Sequence, residues 1–144
     1  IINNNNSIYM VVIDHIISVP NVVLNVKELI KLCQSYNILS LIDGAHAIGQ
    51  INVNLTDINP DFYVSSLHKW LYAPKGTGIL YVSKEYQDII SPTVLSREDQ
   101  SFQNGFAWQG TNDYISYLSV KYALQFRQLF GDNNIINYLH ELSI

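Results

Sequence analysis

The sequence predicts an α/β fold: a mostly parallel sheet with flanking helices. Three observations carry this. Short apolar runs rich in β-branched residues recur along the chain, a segment of helical period separates the first two, and the runs end on polar groups.

Residues 8–16, "IYMVVIDHI", form a near-continuous apolar run of the kind a strand buried on both faces requires, and Pro20 ends it. Residues 25–37 carry Val26, Leu29, Ile30, Cys33 and Tyr36 at helical spacing, with Asn25 and Glu28 placed as a capping box. Residues 38–43, "ILSLID", read as a second buried strand ending on an acid. Strand, helix and strand at this spacing make a βαβ unit, and a parallel pair follows from it. Residues 62–66, "FYVSS", and 78–83, "GILYVS", are a third and a fourth strand. Their connector, 67–77, is short for a helical crossover, so the last strand is expected to run antiparallel to its neighbour. A long helix is expected from Thr111 or Asn112, with Ile115, Leu118, Tyr122, Phe126 and Leu129 as its apolar stripe and Gly131 as its end. A final helix is expected over 132–143.

The bulk numbers narrow the function. The chain has 144 residues, of which 48% are hydrophobic and only 14% charged, enough for about one domain. A net charge of -4, with eight scattered Lys and Arg, argues against a nucleic-acid partner. The single cysteine, Cys33, excludes an internal disulfide framework and suits a reducing compartment, so a cytoplasmic location is expected. No run approaches the ~18 to 20 apolar residues of a membrane helix, and "IYMVVI" lacks the pattern of a signal peptide. Only "IINNNNS" precedes the first strand, so the chain is expected to start within a fold, as a fragment would.

Ligands of a mostly parallel sheet sit beyond the carboxyl ends of its strands. Here the first strand runs into Asp14 and His15, the second into Asp43 and His46, and the third into Ser65, Ser66, His68 and Lys69. Asp43 alone would read as a turn acid, and His68 alone as an interior histidine. Lys69 is the most informative residue, because a lysine is among the side chains least often buried. Between apolar strands it either snorkels to solvent or gives up its proton, and the neutral amine is the nucleophile of Schiff-base chemistry. "KGTG" at 75–78 lacks a Walker pattern, no Gly-x-Ser-x-Gly occurs, and no Gly-rich loop follows the first strand as dinucleotide binding would require. Cys33 falls on the apolar face of its helix, and the four histidines do not share a metal-like spacing, so no metal is assigned.

Three stretches in order, "LIDGAHAIGQ", "DFYVSSLHKWLYAPKGTGILYV" and "WQGTNDYISYLSV", resemble the class V aminotransferases of pyridoxal-phosphate fold type I, in the isopenicillin N epimerase-like branch. The resemblance runs from about residue 9 to the end. It implies pyridoxal 5'-phosphate as cofactor and an amino acid as substrate, with transaminase, epimerase, desulfurase and lyase chemistry all open. By that resemblance Lys69 forms a Schiff base with the cofactor and shuttles a proton at the substrate α-carbon. Asp43 pairs with the pyridine nitrogen, Ala45 packs on the ring face, and His46 lies near the ring hydroxyl. Ser66 and His68 hold the phosphate, Thr111 reaches the phosphate of a partner subunit's cofactor, and Ser18 matches a polar position near the ring hydroxyl.

The same resemblance implies longer chains. Residues 1–131 correspond to the cofactor-anchoring part of a large α/β domain, without its first strands and phosphate cradle. Residues 132–144 correspond to the start of a helix leading towards a C-terminal domain. That domain usually carries the arginine for the substrate carboxylate, and neither Arg97 nor Arg127 lies in a matching motif. Such a chain alone is expected to be inactive, and a non-catalytic remnant of such an enzyme is the alternative. The family's site lies at a homodimer interface. "GFAWQGTND", 105–113, matches the loop that reaches across, with Gly105 and Gly110 allowing close approach and Phe106 and Trp108 as apolar anchors.

Overall fold

The βαβ unit forms where its pattern places it. β1 (Met10–Asp14) leads through a two-stranded hairpin, β2 (Ile16–Ile17) and β3 (Val22–Val23), into α1 (Val26–Ser35) and then β4 (Leu39–Asp43). The molecule continues through α2 (Leu55–Ile58), β5 (Phe62–Ser66), β6 (Gly78–Val82), a 3-10 helix (Lys84–Ile89), α3 (Phe102–Ala107), α4 (Ile115–Phe130) and α5 (Asp132–Glu141). This computed structural model describes residues 8–94, 101–107 and 110–143. The asparagine patch at 3–6, Arg97 and Trp108 lie outside the described residues.

The sheet order is β1-β4-β5-β6. β1 with β4 and β4 with β5 are parallel, while β5 and β6 are antiparallel, as the short connector requires. The ladder aligns Ile13 with Ile42 and Ile42 with Tyr63, so these side chains share one face. α1 covers that face: Val26 and Ile30 pack on Ile42 and Tyr63, all four fully buried, with Ile13 and Leu24 beside them. Each such aliphatic side chain contributes about 1.5–3 kcal/mol on burial. Asn25 caps the helix by accepting the Glu28 amide at 3.4 Å.

Several expectations are corrected. β1 stops at Asp14 and is not buried on both faces, for Val12 is 64% exposed. The strand bends at His15, whose amide donates to the Asp43 carbonyl at 2.8 Å, and the chain turns back through Pro20 into the β2–β3 hairpin. α4 starts at Ile115, not at Thr111 or Asn112, because Asn112 and Asp113 take the Asp113 and Ile115 amides on their side chains. Gly131 does end it, at a φ of 79°.

The stripe Ile115, Leu118, Tyr122, Phe126 and Leu129 faces outward, Leu118 at 70% and Leu129 at 84% exposure. The inward face is Val120, Ala123 and Arg127, and Ala123 packs on Leu67 and Ala73. A small residue lets the helix come close to the loop after β5. That loop also carries the polar groups described next, and the approach of α4 fixes it. The expected crossing loop is helical over part of its length, since Gly105 and Phe106 belong to α3.

Candidate functional site

β4 and β5 are adjacent and parallel, so their carboxyl ends open side by side. Asp43 ends β4 and aligns with Val64 of β5, which places Asp43, Val64 and Ser66 on one face of the sheet. The Asp43 carboxylate accepts the Ala45 amide through Oδ1 at 2.8 Å, and Oδ2 has no hydrogen-bond partner among the described residues.

The turn after Asp43 is held from beneath. Gly44 donates its amide to the Val64 carbonyl at 2.7 Å and receives the Ser65 hydroxyl on its own carbonyl at 2.8 Å. A Cβ at Gly44 would lie 2.1 Å from the Tyr63 hydroxyl, so only glycine fits over that ring. His15 lies under the same turn, with Nδ1 3.0 Å from the Tyr63 hydroxyl. Burial lowers the His15 pKa, while burial and then the Asp43 charge raise that of Tyr63. The phenol therefore stays protonated and shares this hydrogen bond with the imidazole. His15, expected at the rim, is a support of the turn.

Lys69 lies in the bend after β5 and is exposed. The bend is pinned by the Leu67 amide on the Thr77 carbonyl at 3.0 Å and the Ala73 amide on the Leu67 carbonyl at 3.1 Å. The Lys69 amine lies 3.0 Å from His46 Nε2, and the Trp70 indole donates to His46 Nδ1 at 3.3 Å. An indole N–H can only donate, so Nδ1 accepts and the proton of a neutral His46 sits on Nε2, facing the Lys69 nitrogen.

Asp43, Ala45, His46 and Lys69 thus meet at one rim, with Ser66 on the same face. His68 is exposed beside Lys69, Ser18 on the β2–β3 turn, and Thr111 ahead of α4. Among the described residues, these three make no hydrogen bond to the cluster. Two contributors escaped the sequence reading. Trp70 directly follows the lysine, and its indole was a legible donor. Arg127 is a charge on the inward face of α4, which a stripe of apolar residues conceals. Cys33 is buried on α1, and burial, then the Asp61 charge, push its thiol up, away from the reactive thiolate. Among the described residues no group of His, Cys, Asp and Glu could hold a metal, and no helix is long and apolar enough to cross a membrane.

A family model described as aminotransferase class-V matches residues 2–143. An L-cysteine desulfhydrase-like protein of Epichloe uncinata is 32% identical over 93% of this chain and 35% of its own length. Hercynylcysteine sulfoxide lyase of Schizosaccharomyces pombe is 36% identical over 91% of this chain and 36% of its own. The chain therefore spans about a third of the length of these curated relatives. Isopenicillin N epimerase of Streptomyces clavuligerus is 37% identical over 57% of this chain and 21% of its own. The solved cysteine desulfurase of Thermococcus onnurineus NA1 shares the fold, with a TM-score of 0.76 at 22% identity, over 93% of this chain and 36% of that one.

Proposed function

The chain belongs to the class V aminotransferase family, and from that membership we propose that it is the cofactor-anchoring part of a pyridoxal-phosphate-dependent enzyme acting on an amino acid. One observation carries the reading: at adjacent parallel strand ends, the Lys69 amine stands 3.0 Å from His46 beyond a carboxylate, Asp43, that is held by its own turn.

The residues present fit the group. Lys69 is an exposed primary amine, and the Asp43 oxygen Oδ2 is open to a further partner among the described residues. Pyridoxal 5'-phosphate, when bound, supplies an aldehyde that captures amines and a ring that accepts electrons from the substrate α-carbon. Lys69 would hold it through Nζ and take or return the proton at that carbon. Asp43 would keep a proton on the ring nitrogen. His46, its tautomer set by Trp70, would offer Nε2–H, and Ala45 would lie against the ring. Ser66, His68 and, from a partner subunit, Thr111 would supply donors for the phosphate, and Ser18 a further polar contact. In this reading residues 1–131 anchor the cofactor and 132–144 lead towards a further domain. The cytoplasm is the location that the single cysteine favours.

Two relatives named above, an L-cysteine desulfhydrase-like protein and a sulfoxide lyase, support a sulfur-bearing amino acid as substrate and cleavage of its carbon–sulfur bond as the reaction. Titrating the cofactor into full-length protein tests the site. The wild type is expected to develop visible absorbance and Lys69→Ala to lose it. Equal absorbance in both proteins would contradict the role of Lys69.

A further inference from the structure

Arg127 is 1% exposed, late in a helix whose large apolar residues face outward. A buried guanidinium is costly unless its donors are satisfied, and here each nitrogen has a partner. Nη1 donates to the Trp70 carbonyl at 2.8 Å, Nη2 to the Gly49 carbonyl at 3.1 Å, and Nε to the Asp132 carboxylate. The Tyr72 ring centre lies 5.2 Å from Cζ.

The two carbonyls belong to the two loops of the site. Trp70 follows Lys69, and Gly49 lies three residues beyond His46. Gly49 has a φ of 95°, and a Cβ there would fall 2.4 Å from the Trp70 carbonyl oxygen. The loops therefore touch backbone to backbone, with two carbonyl dipoles aimed at one cation. A planar fork spans both oxygens and still reaches a carboxylate through Nε, which the single ammonium of a lysine cannot reproduce. Asp132 opens α5, so the same group ties the α4–α5 corner to both loops.

We propose that Arg127 is a positioning residue that locks the Lys69 loop to the His46 loop and so sets the separation of the amine and the imidazole. The proposal rests on the reading of Lys69 and His46 given above. It also assigns Arg127 away from the substrate carboxylate, because its donors point inward.

Full-length Arg127→Lys and Arg127→Met proteins test it against wild type. Amide hydrogen exchange reports on the loops, and the pH midpoint of visible absorbance reports on the loaded protein. Exchange over 45–50 and 67–73 is expected to rise together in both variants while β4 and β5 stay protected. The absorbance midpoint is expected to move. Turnover is expected to fall by about 100-fold, as for a misplacement on the order of 1 Å, and Arg127→Lys is expected to retain more than Arg127→Met. If Arg127→Met does not fold, Arg127→Lys decides. Unchanged exchange in either loop, or an unmoved midpoint in the loaded protein, overturns the proposal. If the wild type carries no cofactor on Lys69, the proposed function falls, and hydrogen exchange alone then decides the clamp.

Discussion

Tyr63 shows how much one side chain can settle. It is fully buried, its ring lies against Gly44 and its hydroxyl against His15, so it supports the turn that presents Asp43. Burial depresses the His15 pKa below its ordinary 6.5. The unfolded chain then binds the extra proton more readily than the folded one as pH falls below that value. Stability is therefore complete above about pH 6.5 and declines as pH drops towards the folded value. The melting temperature of full-length protein is expected to fall on acidification through this window, and His15→Gln to flatten that slope. An unchanged slope in the variant would remove His15 as the cause. None of this was legible in "IDHI", because a histidine after a strand points out or under according to where the strand bends. That Asp43, His46 and Lys69 would stand at neighbouring strand ends was legible, since each ends or follows an apolar run.

At the scale of elements, the strands and α1 could be read because their periods are strong and their connector lengths leave few topologies. The packed face of α4 could not be read. Its sequence offers an apolar stripe, yet the helix turns Ala123 and Arg127 inward, where close approach and hydrogen bonding win over apolar area. The β2–β3 hairpin and α2 were missed because each is shorter than one helical or strand pattern needs to show a period. The turn of residues 44–47 offers a sharp test of the packing described. Gly44→Ala places a methyl group in the Tyr63 ring and is expected to destabilise by the upper part of about 1–3 kcal/mol. Gly76→Ala meets no atom within 4 Å and carries only the strain of its positive φ, about 1 kcal/mol. Thermal melting of the two variants should rank them in that order, and the reverse order would contradict the fit of Gly44 over Tyr63.

For the whole molecule, the proposed reading places the site between two subunits, with Thr111 of one completing the Lys69 site of the other. Thr111 is exposed and makes no hydrogen bond to its own cluster among the described residues, as such a role requires. Co-expression of full-length Lys69→Ala and Thr111→Ala chains should restore activity above either parent, because mixed dimers then hold both lesions in one site and leave the other intact. No recovery would count against the shared site. The central claim is the identity of the amine. Full-length protein loaded with pyridoxal 5'-phosphate should be reduced with borohydride, digested and mapped by mass. The account predicts the reduced adduct on the peptide carrying Lys69 and none in Lys69→Ala; an adduct on Lys75 or another lysine, with Lys69 unmodified, would contradict it.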